Sequence, residues 1–461
     1  MKRDLQEAER EVARIESLDL EGRGVARLED GKVAFIEGAL PGERVQWARL
    51  RAKARFDTGR VTAVLAASPL RVTPRCPHFG LDPGKCGGCS MQHLDARAQV
   101  SIKQRVLEET LWHIGRLRPE TVLRPVVGPV WNYRHRARLS ARFVAGKGGS
   151  LIGFRERNSS YVADMHACPV LGEPVSRLID PLRELVSGLS VRDRLPQIEV
   201  AIADSGAEAP VTVLVLRILA PLSDADRDRL RAFERAYGVC FWLQTGGPDT
   251  AEPMDPPAHG DGALRLRLPE FGVEIPFRPT DFTQVNHAIN EVLVRRALAL
   301  LDPGPQDVIA DFFCGLGNFT LPLATRAGRV RGLDGSAALL RRAEAAAATA
   351  GFAGRVDFAA RNLFEWTAAD WEGLRTALGG RIDRVLVDPP REGALAVVQS
   401  FGLDIAPPRR VVYVSCNPAT LARDCAWLVH EAKWTVRAAG VVNMFPHTSH
   451  VESIAVLEPP A

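Results

Sequence analysis

The chain has 461 residues, 46% apolar and 25% charged, with a formal net charge of +4. That length and balance fit a folded protein of about three domains and exclude a disordered or fibrous one. The opening MKRDLQEAEREVARIESLDL lacks the apolar stretch of a secretory leader. No run approaches the ~18 apolar residues of a membrane span, so a cytoplasmic protein with reduced cysteines is expected.

Residues 11–67 read as five short strands separated by turns. Asp30-Gly31 divides residues 25–28 from 33–36, a hairpin signal, and Pro41-Gly42 marks the next turn. Strands near 45–50 and 60–66 complete a small barrel of the oligonucleotide-binding kind. Arg44, Arg49, Arg51, Lys53, Arg55 and Arg60 stand against Asp57 alone. The cluster is either a charged strand edge that resists aggregation or a surface for an RNA backbone.

Residues 71–95 are rich in Cys, Gly and Pro. Cys76, Cys86 and Cys89 lie in CPHFGLDPGKCGGC, and Cys168 lies far downstream in HACPVL. Four thiols in this spacing leave three readings: an iron–sulfur cluster, a structural zinc, or unrelated buried cysteines. The single C-x-x-C knuckle weighs against zinc. The prolines after Cys76 and Cys168 weigh toward a cluster.

Residues 97–114 carry Ile102, Val106, Leu111 and Ile114 near one helical face. From 120 to 275 the pattern is strand-rich. Within it Arg134, Arg136, Arg138 and Arg142 share one face at period two. They form either a solvated face or a phosphate groove with Tyr133 or Phe154 to stack a base. Cys240, between Val239 and Phe241, reads as core.

From 280 onward strands and helices alternate, as in an α/β domain with a largely parallel sheet. The strand 308–313 leads into Cys314-Gly315-Leu316-Gly317-Asn318, a helix starts at Phe319, and a second strand ends at Asp334. This order places a carboxylate for ribose hydroxyls about 20 residues past the turn, although Asp334 also suits a helix cap. Thr320 replaces the third glycine of a dinucleotide fingerprint, which favours adenosylmethionine, a ligand without phosphates. Asn362 is placed to meet an adenine or to cap a turn. Asp388, before Pro389-Pro390, ends another strand on the ligand-binding side.

A core strand over 410–414 ends at Ser415-Cys416-Asn417-Pro418, putting a thiol at the same edge. A helix N-terminus or a nearby cation is expected to lower its pKa. Cys314 and Cys425 read as packing. In 444–452, His447 and His450 lack local partners for a metal, and Glu452 is a surface acid or a base. Methylation of uracil carbon 5 explains the set. A thiolate must add at carbon 6 to make carbon 5 nucleophilic, and a base must then remove the carbon-5 proton.

FFCGLGNFT, LVDPPR, VSCNP, FPHTSHVE and FTQVN (Phe282 to Asn286) resemble the signatures of the RNA uracil-C5 methyltransferases. The N-terminal barrel looks like the TRAM RNA-binding domain. The cysteine pattern resembles the [4Fe–4S] site of the branch that methylates 23S ribosomal RNA. The resemblance implies an α/β fold. Residues 1–70 would be the TRAM barrel, and 71–275 a strand-rich domain carrying the four-cysteine cluster. Residues 276–461 would be a Rossmann-like domain dependent on S-adenosylmethionine. It implies Cys416 as nucleophile and Glu452 as base. Gln284, Phe313, Asn318, Asp334, Asn362 and Asp388 would be adenosylmethionine contacts, and Cys76, Cys86, Cys89 and Cys168 cluster ligands. It also implies that the helix near 97–118 packs on the catalytic domain.

The sequence departs from the family pattern in a longer gap between Cys76 and Cys86, in Asp334 where Glu is commoner, and in Asn443 where Asp is commoner. The implied partner is 23S ribosomal RNA, with no obligate protein partner. The nearest rival is the same reaction on transfer RNA. The family's transfer-RNA members look shorter and lack the barrel and cysteines, so residues 11–89 argue for ribosomal RNA. An amino-group methyltransferase would need an aromatic after the prolines, where Arg391 stands. A non-catalytic iron–sulfur RNA-binding protein would leave Cys416 and Glu452 without a task.

Overall fold

The computed structural model describes residues 11–203, 210–256 and 264–460; the first ten residues of the expected barrel domain lie outside the described residues. The N-terminal sheet has six strands, Glu11–Arg14, Ser17–Leu18, Gly24–Arg27, Val33–Glu37, Arg44–Ala52 and Phe56–Ala66. The sixth arises because the first strand breaks at Ile15. The Ile15 N–H donates to the Glu43 carbonyl at 2.9 Å and the Glu16 N–H to the Val25 carbonyl at 2.8 Å. One bent segment therefore pairs with both edges and closes the sheet on itself, leaving no long free edge. Small side chains, Ala13, Ala26 and Ala34, pack with Ile15, Ile36, Val45 and Trp47 inside. A Cβ at Gly59 would sit 2.4 Å from the Trp47 ring, so glycine is required there.

The central sheet runs in the order Ala251–Pro253, Val239–Gln244, Val211–Arg217, Gln197–Ala203, Arg136–Val144, Gly149–Gly153. Helices Ile179–Gly188 and Asp224–Tyr237 pack against it. Cys240 alternates outward along its strand and is exposed, contrary to the expected core position.

The C-terminal sheet has eight strands in the order Val356–Ala360, Arg329–Asp334, Val308–Phe312, Arg384–Val387, Arg410–Ser415, Glu452–Glu458, Thr435–Val442, Thr121–Val122. The first five are parallel, and their apolar runs are covered on both faces, as parallel sheets require. Glu452–Glu458 is wedged antiparallel between its two neighbours. Thr121–Val122, from far upstream, adds to the last edge. Helix Ala96–Gly115, capped by the Asp95 carboxylate, packs on helix Pro418–His430 and on Thr435–Val442. Leu107 and Leu111 join the core of this sheet. The hairpin Leu264–Leu268/Val273–Phe277 packs on helix Ala337–Thr349 and shares the core on the other face.

Strand order reverses between Val308–Phe312 and Arg384–Val387, since the chain first builds outward on one side and then on the other. Such a reversal opens a crevice at the carboxyl ends of the two strands. Among the described residues no helix is long and apolar enough to cross a membrane.

Candidate active site

The crevice begins where Phe313 takes a left-handed φ of 63°, unusual for a bulky residue and a mark of functional strain. Gly315 and Gly317 follow with φ of 56° and 87°. Asp334 accepts the Gly315 N–H at 3.0 Å on one oxygen and the Ser336 N–H at 2.8 Å on the other. Asn318 exchanges paired amide hydrogen bonds with Asn290 at 2.8 and 2.9 Å. Asp311, sealed beneath the turn, accepts from Thr320 Oγ1 at 2.5 Å, and its second oxygen has no partner. Burial, with Asp388 and Asp334 nearby, pushes its acid up to about 8.

A cavity of about 70 Å³ follows, lined by Gln284, Phe313, Gly315, Asn318 and Asp388 together with Phe282 and Leu339. Four of the six expected cofactor residues therefore line this cavity, and a fifth, Asp334, braces the turn beside it. Asn362 stands apart: exposed, it accepts the Phe364 N–H at 3.2 Å and caps the short turn Leu363–Glu365.

Cys416 and Glu452 are brought together by strand register. Arg410–Ser415 pairs antiparallel with Glu452–Glu458, Ser415 opposite Ser453. One step further along this register puts Cys416 opposite Glu452. Asn417 then caps helix Pro418–His430 by accepting the Ala419 N–H at 3.1 Å, and its amide donates to the Arg391 carbonyl at 3.0 Å. The expected lowering of the thiol pKa is not found. Burial, and then Glu452 and Asp388, push Cys416 up to about 11 against the opposing pull of Arg391. Glu452, 3% exposed, is itself raised well above the ordinary carboxyl range by burial and by Asp388. Burial holds Asp388 near 7.

Cys76, Cys86, Cys89 and Cys168 surround a second cavity of about 210 Å³, walled by Phe79, Phe154, Met165 and Val170 and reached by Thr448 and His450. Burial raises the thiols of Cys86 and Cys89 to about 11 and about 12, and that of Cys168 as well. Among the described residues no three His, Cys, Asp or Glu side chains converge as ligands to one ion; the sulfurs ring a void instead.

The arginine strand differs from expectation. Tyr133 is buried and donates its hydroxyl to the Pro446 carbonyl at 2.9 Å, so it does not stack a base. Phe154 faces the sulfur cavity beneath Arg134. Arg136 and Arg138 both turn to Glu199, at 3.9 and 2.9 Å. In the barrel, Arg49 is held by Glu11 at 2.6 Å and Asp57 at 3.2 Å, while Arg51, Lys53 and Arg55 stand exposed at a hairpin tip. Sequence reading missed Asn290, Asp311, Gln99 and Lys103. The available signal was a polar side chain on the apolar face of a helix or inside an apolar strand.

Residues 272–459 match the family described as "tRNA (Uracil-5-)-methyltransferase", and residues 7–46 match the TRAM domain. A protein named 23S rRNA (uracil(1939)-C(5))-methyltransferase RlmD from Cupriavidus pinatubonensis is 57% identical over 97% of this chain and 95% of its own. One of the same name from Bordetella pertussis is 57% identical over 97% of this chain and 93% of its own. Among solved structures, the Pyrococcus abyssi tRNA (uracil-54, C5)-methyltransferase in complex with S-adenosyl-L-homocysteine superposes with a TM-score of 0.69. It covers 97% of this chain and 100% of that one, at 23% identity, and so shares the fold.

Proposed function

The chain belongs to the RNA (uracil-C5)-methyltransferase family, and from that premise we propose that it methylates carbon 5 of a uridine in 23S ribosomal RNA through Cys416 and Glu452. The observation that carries the reading is the register that sets Cys416 opposite Glu452 beside the crevice lined by Asp388 and Asn318. The choice of ribosomal RNA rests on the relatives named for 23S rRNA. The barrel does not decide it, because the Pyrococcus protein named for tRNA folds along nearly the whole chain.

In this reading the Cys416 thiol gives up its proton to solvent, and the thiolate bonds to carbon 6 as the ring's electron pair shifts toward carbon 5 and the carbonyl oxygen. S-adenosylmethionine supplies an electrophilic methyl group to that carbon. Glu452 then takes the carbon-5 proton, and the bond between sulfur and carbon 6 breaks to restore the ring. A base with a raised pKa holds that proton well, which suits Glu452. Gln284, Phe313, Asn318 and Asp388 would hold the cofactor, with Asp334 fixing the turn.

Cys76, Cys86, Cys89 and Cys168 would hold a [4Fe–4S] cluster. Four thiols around an apolar-walled void suit a polynuclear centre better than one ion, whose ligands would meet at a point. Such a cluster would supply a covalent tie between residues 76–89 and the central domain. The exposed tip Arg51, Lys53 and Arg55 would contact RNA phosphates.

The test pairs 23S rRNA fragments with transfer RNA and maps 5-methyluridine after incubation with S-adenosylmethionine. A 5-fluorouridine substrate should trap wild-type protein covalently, because fluorine cannot leave as a proton. Cys416→Ala should bind S-adenosylmethionine and form no adduct. Trapping by Cys416→Ala would end the assignment of the nucleophile, and methylation of transfer RNA alone would end that of the substrate.

A further inference from the structure

We propose that Gln99 and Lys103 are positioning residues for the base: one helical turn apart on Ala96–Gly115, they hold the loop 443–451 that leads into Glu452. This rests on the reading of Glu452 as base. The Glu452 backbone is fixed by pairing with Val442, its side chain is buried, and the loop 443–451 is the connection between those two paired residues.

Residues four apart lie on one helix face, and both of these side chains are buried, Gln99 fully and Lys103 at 2% exposure. The Gln99 amide nitrogen donates to the Met91 and Leu94 carbonyls at 3.0 and 2.9 Å, and its oxygen accepts the His447 N–H at 2.8 Å. The Lys103 ammonium donates to Asn443 Oδ1 at 2.9 Å and to the Phe445 carbonyl at 2.8 Å. The Ser90 and Met91 N–H groups both donate to the His447 carbonyl at 3.0 Å, completing the grip. His447 holds a left-handed φ of 66°. A strained backbone of this kind persists only where surrounding bonds over-determine it.

Lys103 also gives an energetic argument. A buried ammonium is costly unless paired, yet among the described residues no carboxylate forms an ion pair with it. Its side-chain partner is the neutral Asn443. Burial pulls the ammonium down to about 7, and the groups that feel its charge are His447 and His450 of the same loop. An apolar residue would pack there at less cost, so the contacts to the loop are what position 103 provides.

The test uses full-length Lys103→Met and Gln99→Met in single turnover with uridine-containing rRNA fragments and S-adenosylmethionine. Adduct formation and S-adenosylmethionine affinity should stay near wild type. The covalent adduct should persist about 10²-fold longer, the scale of a misplaced catalytic group. If adduct lifetime is unchanged, or if formation and release fall together with the folded fraction, the inference is overturned. Should Lys103→Met fail to fold, Asn443→Leu breaks the same contact from the loop side under the same criteria. Failure of the underlying reading is separately visible: wild-type protein would then not trap on 5-fluorouridine RNA at all.

Discussion

Asp311 makes the stability of this protein depend on pH in an unusual direction. In the fold its carboxyl is raised to about 8 by burial and by its acidic neighbours, whereas in an unfolded chain it titrates near the ordinary 3.9. Between those values the folded state holds one more proton than the unfolded state. Stability from this group is therefore fully present below about pH 4 and is lost as pH rises to about 8. The slope is about 1.4 kcal/mol for each pH unit. Asp311→Asn keeps the shape and the acceptor for Thr320 but cannot ionise. Without S-adenosylmethionine, the variant should lie about 1.5 kcal/mol above wild type at pH 5 and several kcal/mol above it at pH 8.5. Urea unfolding across that range, followed by fluorescence, measures both curves. Parallel curves would mean that Asp311 is ionised in the fold and would refute the reasoning.

Glu452→Gln should let methyl transfer proceed but slow proton removal by 10²–10⁴-fold, on the order of a lost general base, so methylated RNA should accumulate on the protein; wild-type turnover would remove Glu452 from the mechanism. Protein purified without oxygen should contain iron and sulfide and absorb visible light, and Cys168→Ser should lose both; a colourless zinc protein would sink the cluster assignment. Replacing Arg51, Lys53 and Arg55 with Ala should lower the slope of log affinity against log salt by about 2, at about 0.7 per phosphate contact on single-stranded RNA. An unchanged slope would place the RNA elsewhere.

The meeting of the glycine turn, Asp388 and Cys416 at one sheet edge was readable in the sequence because each sits at a strand end marked by local punctuation. Gly315 and Gly317, Pro389 and Pro390, and Pro418 each force the chain to turn at the same sheet edge. The cysteine set was readable for a similar reason, since Cys86 and Cys89 announce a shared site. What stayed hidden depends on partners far away in the chain. Tyr133 looked like a stacking residue until Pro446 appeared beside its hydroxyl. Arg136 and Arg138 looked free until Glu199 met them from the neighbouring strand. The Cys416 thiol was expected to be acidified by the helix cap and a cation; the register that brings Glu452 opposite it, with Asp388 close by, reverses the sign. Asn362 satisfied the cofactor pattern in sequence, but its amide serves the next turn. Lys103 is one of several charged residues on its helix, and only Asn443, 340 positions later, shows why it is buried.

The wedged strand Glu452–Glu458 has a consequence for synthesis on the ribosome. Both strands that flank it are made earlier, so until residue 458 emerges they face each other across a missing rung. The nascent sheet then exposes two unpaired edges of the kind that invite aggregation. The same short stretch carries the carboxylate assigned as base. A polypeptide released before residue 452 would lack both the closing strand and the base.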